Sequence, residues 1–141
     1  MPLLEIADLH VHFQTANGVL RAVDGVSFHV DPGESVGLVG ESGCGKSTLA
    51  KALLRLVPLT SGRILFDGQD VGTLPGRKLR PLRRRMQIVF QDPYGSLNPR
   101  HTIEDILAAP LAVHGVGDRM GRRRIVVGIA ERVGLPISAL S

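Results

Sequence analysis

The chain has 141 residues, enough for one domain with a sizeable core, and 43% of them are hydrophobic, as a globular protein requires. Its formal charge is only +4, and four Phe and one Tyr leave little to stack on bases, which argues against a nucleic-acid binder. The single cysteine, Cys44, excludes an internal disulfide and a cysteine-based zinc site, and no apolar run approaches the ~20 residues that cross a bilayer.

In chain order, Leu3 to Phe13 mostly alternates apolar and polar residues and predicts a strand. Asn17-Gly18 is a hairpin turn signal, after which Leu20 to Val30 resumes the alternation with Val26, Phe28 and Val30 on one face. Asp31-Pro32-Gly33-Glu34 is a turn that delivers the chain to Ser35–Val39, read as a short buried strand. The next stretch, GESGCGKST from Gly40 to Thr48, fits the phosphate-loop pattern G-x-x-x-x-G-K-[ST]. Thr48 to Val57 carries leucines at helical spacing. A strand entering such a loop and a helix leaving it aim backbone N–H groups and a positive helix end at one point, which binds phosphate. Gly43 and Gly45 let the backbone approach closely, Lys46 brings a mobile charge, and the Ser47 hydroxyl is a ligand suited to Mg2+.

Beyond the helix, Arg63 to Phe66 with Asp67-Gly68 predicts a hairpin; the run is too short and too near the loop helix to be an acidic Mg2+-binding strand. Leu79 to Arg85 is basic and leads into Met86–Phe90, read as a buried strand that ends at Gln91-Asp92-Pro93. Polar residues at the end of a core strand beside a phosphate loop are placed for chemistry. Thr102 to Asp105 is a capping box, and it opens a helix that Pro110 should kink or shorten. A last helix, from about Asp118 to Val133, puts Ile125, Ile129 and Val133 on one stripe and stops at Gly134 and Pro136. No further element is expected before Ser141. The basic clusters Arg80–Arg85 and Arg122–Arg124 read as solvated faces.

With the loop, its strand pair and Gln91 in this order, the chain resembles the ATP-binding subunits of ABC transporters over essentially all its length. GESGCGKST is similar to their Walker A loop, VFQDP to their Q-loop strand, and YGSLNPRHTIEDILAAPL points to the dipeptide, oligopeptide and nickel importers. The implied fold is α/β, a P-loop NTPase of ABC ATPase type. Residues 1–93 would form the antiparallel β subdomain and Walker A core through the Q-loop, and residues 94–141 the start of the helical subdomain that docks on a permease. The resemblance implies that Phe13 stacks on adenine and that the backbone of Gly40, Glu41, Ser42, Gly43, Cys44, Gly45, Lys46 and Ser47 wraps the phosphates of ATP. Lys46 would contact the β- and γ-phosphates, Ser47 would bind Mg2+, and Thr48 would reach the α-phosphate region. Gln91 would meet Mg2+ and the attacking water. The implied partners are transmembrane permease subunits, a second ATP-binding subunit and, indirectly, a solute-binding protein. The implied place is the cytoplasmic face of the plasma membrane.

The 141 residues do not contain the LSGGQ signature, the Walker B carboxylates or the switch histidine of that family. A truncated reading frame or partial gene model is the simplest account. Phosphoryl transfer depends on positioning and electrostatics, so the chain alone is expected to bind nucleotide with almost no turnover. Met86–Phe90 would lack strand neighbours, which predicts poor solubility or a molten state. A GTPase is disfavoured because N-K-x-D is absent; a small P-loop kinase would place its loop nearer the start. A non-catalytic nucleotide-binding remnant differs from the leading reading only in activity.

Overall fold

The computed structural model describes residues 1–92 and 95–141, which divide into two compact units, Met1–Ile88 and Val89–Ser141. The sequence-derived boundary at 93/94 involves Pro93 and Tyr94, which lie outside the described residues; Val89 to Asp92 group with the second unit.

The first unit is built on a hairpin of β1 (Leu4–Thr15) and β2 (Gly18–Val30), joined by a two-residue turn at Ala16 and Asn17. The turn therefore sits one residue earlier than Asn17-Gly18, and Gly18 pairs with Thr15. A second hairpin, β3 (Ser61–Phe66) and β4 (Gln69–Asp70), adds to the free side of β1, giving an antiparallel sheet in the order β2-β1-β3-β4. Its turn is Asp67-Gly68, with φ of 50° and 72°, the paired positive values that suit a tight hairpin.

The alternation of β1 sends Ile6, Leu9 and Val11 into the core, where they meet Val23, Ile64 and Phe66. The register of β1 against β2 shifts first between Ile6 and Leu9, then between Leu9 and Val11 and between Val11 and His12. Ile6 faces Phe28 and Leu9 faces Val26, so β1 carries one residue more than β2 across the first interval. Asp8 absorbs the bulge with φ 47°. On the other side β3 closes on it at Gly62 (φ 91°), where a Cβ would lie 2.2 Å from the Asp8 carbonyl oxygen, so no side chain fits.

Helix α1 (Lys46–Leu53) lays Leu49 and Ala52 on this core. It ends four residues before the predicted Val57. Arg55 adopts φ 49°, its N–H bonds the Ala52 carbonyl (2.9 Å), and the Leu56 N–H bonds that of Lys51 (2.9 Å). That is a Schellman stop with arginine where glycine is usual. The Arg55 guanidinium holds the carbonyls of Val71 and Leu74, which offsets the strain. Helix α2 (Gly76–Arg83) buries Leu79 and Leu82 and turns its arginines outward. The arginine cluster is not only a solvated face. Arg83 donates to the Arg55 carbonyl at 3.2 Å, and Arg85 pairs with Asp67 at 2.8 Å with its guanidinium 5.1 Å from the Phe66 ring centroid.

Two predicted buried strands are not strands. Ser35–Val39 and Met86–Phe90 make no ladder among the described residues. Val36, Leu38 and Val39 are 50%, 52% and 94% exposed, and Val89 is 92% exposed. Met86 alone of the second segment packs on the core. A strand exists through its neighbour's hydrogen bonds, and an apolar run without that neighbour stays open chain.

In the second unit, α3 (Ile103–Val113) starts at the predicted capping box: Asp105 N–H donates to Thr102 Oγ1 (3.1 Å) and Thr102 N–H to Asp105 Oδ2 (3.3 Å). The helix runs through Pro110 to Val113, so proline does not shorten it there. Helix α4 (Arg119–Arg132) is capped by Asp118, whose Oδ1 accepts from Gly121 N–H at 2.7 Å. Its buried residues are Val126 and Ala130, one position round from the expected stripe; Ile125, Ile129 and Val133 remain exposed. The buried face meets Ile103, Leu107, Ala108 and Leu111 of α3 and the chain after the helix. A 3-10 turn, Ile137–Ala139, not expected from the sequence, folds Leu140 onto Val126 and Ala130, and the Leu140 carbonyl accepts from Glu104 N–H at 3.0 Å.

Candidate functional site

The glycine-rich stretch folds as a closed loop around its own lysine. Lys46 Nζ donates to the carbonyls of Gly40 (2.7 Å) and Glu41 (2.6 Å) and touches Cys44 Sγ at 3.3 Å. The ring is tied again by Cys44 N–H to the Glu41 carbonyl at 3.4 Å. Lys46 is anchored by two carbonyls and the Cys44 sulfur rather than by a carboxylate, and it can turn toward an anion at the cost of these hydrogen bonds.

Gly45 is the position that decides the geometry. It caps α1 with φ 95°, and a Cβ there would lie 2.0 Å from the Ala22 carbonyl oxygen of β2. The helix therefore begins against the strand at a distance that excludes any side chain. Its first N–H groups have no intrahelical acceptors, and the first turn carries no acidic residue, so nothing in the helix offsets its positive end. Ser47 is exposed and Thr48 half-buried on this first turn, while Glu41, Ser42, Gly43 and Cys44 form the exposed rim. The exposed Ser47 hydroxyl is an oxygen ligand of the kind that the hard Mg2+ prefers.

Phe13 lies near the end of β1 opposite Leu20, half-buried and packed on the hydrophobic core. Gln91 belongs to the second unit and is exposed there. Of the residues singled out from sequence, the structure gathers Gly40 through Thr48 into one site.

Sequence reading missed a second cluster on β1 and β2. His10 Nδ1 lies 2.8 Å from Asp24 Oδ1, His10 Nε2 lies 3.0 Å from Asp8 Oδ1, and His12 Nε2 lies 3.1 Å from Asp24 Oδ1. A ring held by carboxylates at both nitrogens favours the imidazolium, so hydrogen bonds to Asp24 and then Asp8 raise the His10 pKa. The same bonds, from His10 and then His12, lower that of Asp24. The signal was present as Asp8-Leu9-His10-Val11-His12, three polar side chains at strand period on the face opposite Leu9 and Val11.

Comparison with known proteins agrees with this geometry. The family model described as ABC transporter matches residues 23–137. A Brucella ovis protein named for peptide import and ATP binding is 48% identical over 135 residues, covering 96% of this chain and 43% of that protein. The oligopeptide transport ATP-binding protein OppF of Bacillus subtilis is 47% identical over 135 residues, covering 94% of this chain and 44% of its own length. The dimeric post-hydrolysis structure of the ATP-binding cassette MJ0796, bound to ADP and Pi, superposes with a TM-score of 0.80 at 22% identity, over 97% of this chain and 60% of that one. The chain thus spans less than half the length of these two relatives. With its phosphate loop, its antiparallel sheet and a family match over most of its residues, this chain belongs to the ABC transporter family.

Proposed function

We propose that this chain carries the phosphate-binding part of an ATP-binding importer subunit for peptides. One observation carries the reading: Lys46 sits inside a loop whose helix start is forced by Gly45 against β2, beside a turn with no acid. Names assigned to the relatives, peptide import and oligopeptide transport, favour peptides as the cargo class over nickel. The backbone from Gly40 to Ser47 wraps the β- and γ-phosphates, Lys46 swings from its carbonyl anchors onto them, and Thr48 supports the α-phosphate. Ser47 would hold Mg2+, which when bound would supply positive charge to neutralise the phosphates. Phe13, near the end of β1, stacks on adenine, and Gln91 reports nucleotide state to a permease. A second ATP-binding subunit completes the hydrolytic site, since dimers occur in the cassette fold. No helix among the described residues is long and apolar enough to cross a membrane, which fits a subunit bound at the cytoplasmic face to permease partners.

Binding of a fluorescent ATP analogue tests this. Lys46→Ala is expected to weaken binding by about 10-fold or more, the loss of one charged contact to phosphate. Alkylation of Cys44, whose sulfur lies inside the ring, should weaken it comparably. Equal affinity in the wild-type, Lys46→Ala and alkylated chains would overturn the site. Steady ATP turnover by the 141 residues alone, abolished by Lys46→Ala, would overturn the dependence on a second subunit and on the missing motifs.

A further inference from the structure

The cluster of His10, His12 and Asp24 stands apart from the nucleotide loop. We propose that it is a binding site for a divalent transition-metal ion of the zinc class, held by His10 Nδ1, His12 Nε2 and Asp24 Oδ1.

Four observations carry it. The three ligand atoms lie within 4.8 Å of one another, converging from two neighbouring strands. A tetrahedral zinc with ligands at ~2.0–2.1 Å needs ligand separations of about 3.3–3.5 Å. The two short approaches, 2.8 and 3.1 Å, therefore open by a few tenths of an ångström to admit an ion, a movement within side-chain rotation. The donor set of two imidazoles and one carboxylate suits Zn2+, Cu2+ or Ni2+ and does not suit Mg2+ or Ca2+, which take oxygen. His10 is also oriented from behind. Its Nε2 lies 3.0 Å from Asp8 Oδ1, so that N–H donates to a carboxylate and Nδ1 is turned toward the ion, the outer-partner arrangement that metal-binding histidines use. Finally, the side chains of His10 and His12 are 22% and 21% exposed and that of Asp24 is 44% exposed, so an ion can enter from solvent.

The fold explains why these groups meet. Asp8 sits on the bulge of β1 between Ile6 and Leu9, and Asp24 lies where β2 carries one residue more than β1, between Val26 and Val23 opposite His10. Gly25, the residue after Asp24, adopts φ 75°, a turn of the backbone that suits glycine and lies beside Asp8 and His10. On its other oxygen, Asp24 Oδ2 faces Arg21 Nη1 at 3.4 Å, which leaves Oδ1 as the single oxygen turned to both imidazoles. Three protein ligands leave the fourth position of a tetrahedral ion to water. Bound there, the ion ties β1 to β2 next to Val23, the neighbour of Ala22 on which Gly45 rests.

Zinc binding is measured by competition with a chromophoric chelator, on the chain without an affinity tag and with Cys44→Ser so that the thiol contributes nothing. One Zn2+ per chain at micromolar affinity or tighter is expected, and Co2+ in its place should give the visible bands of a four- or five-coordinate ion. His10→Gln, His12→Gln and Asp24→Asn should each weaken binding by more than about 10-fold, and Asp8→Asn by a smaller but measurable factor. His29→Gln, on the same hairpin but outside the cluster, should leave it unchanged. Far-UV circular dichroism identifies any variant that has lost the hairpin; His12→Gln, which leaves the His10–Asp24 and His10–Asp8 contacts intact, then decides the matter. Binding that survives His12→Gln, or that falls equally with His29→Gln, overturns the site, as does an octahedral Co2+ spectrum.

Discussion

Two kinds of apolar segment flank the phosphate loop, and they behave differently. The β1–β2 hairpin and the β3–β4 hairpin find their partners within a few residues along the chain, and both form ladders. Ser35–Val39 and Met86–Phe90 are as apolar, yet they pair with nothing among the described residues, and Val39 and Val89 are 94% and 92% exposed. The difference is one of partners, and a first local partner helps: β3 turns back on β4 and also pairs with β1 far along the chain. Composition makes a segment able to be a strand, whereas a hydrogen-bonded neighbour makes it one, and only the hairpins carry that neighbour locally. The loop escapes this dependence. Its shape rests on α1, on Lys46 and on the contact of Gly45 with Ala22, all within the first unit.

The contrast is sharpest at Gly45. Gly45→Ala meets both a positive φ and a backbone oxygen, and should destabilise the first unit by about 3 kcal/mol or more. Gly43→Ala meets only φ 83° in open space and should cost about 1 kcal/mol. Urea denaturation followed by circular dichroism compares them; equal losses would mean that Ala22 does not set the loop. Within the ladders, Ile64→Ala empties a fully buried site and should cost about 2–5 kcal/mol. Val89→Ala should stay within ~0.5 kcal/mol, and a loss like that of Ile64→Ala would show that Met86–Phe90 is a packed strand after all.

The smallest effect is electrostatic and lies on the hairpin. The His10 pKa is raised, so its stabilising contribution is present below the ordinary value of 6.5 and lost as pH rises through the raised one. That of Asp24 is lowered, so its contribution is present above 3.8 and lost as pH falls through the lowered value. Between those limits, in chelator, the protection factors of the β1 and β2 amides, corrected for the intrinsic pH dependence of exchange, should be highest, and Asp24→Asn should flatten the profile. A wild-type profile already flat would remove the ion pair from the account of this hairpin.

Much of the site was legible in the sequence because its information is local. The spacing of Gly40, Gly45, Lys46 and Ser47, the alternation of β1 and β2, the Asp67-Gly68 turn and the Thr102 capping box each involve neighbours within a few positions, where backbone sterics and short hydrogen bonds decide the outcome. Tertiary structure decided the rest. It ended α1 at an arginine, since Arg55 tolerates a positive φ only while Val71 and Leu74 accept its guanidinium. It chose Val126 and Ala130 over Ile125 and Ile129, since α3 and Leu140 cover one face of α4 and leave the other bare. It brought Asp24 to His10 and His12 through a bulge that no spacing rule announces, and it withheld ladders from two apolar runs. For Arg55, for α4 and for the His–Asp cluster the deciding partner lies beyond a residue's immediate neighbours, which carry no record of it.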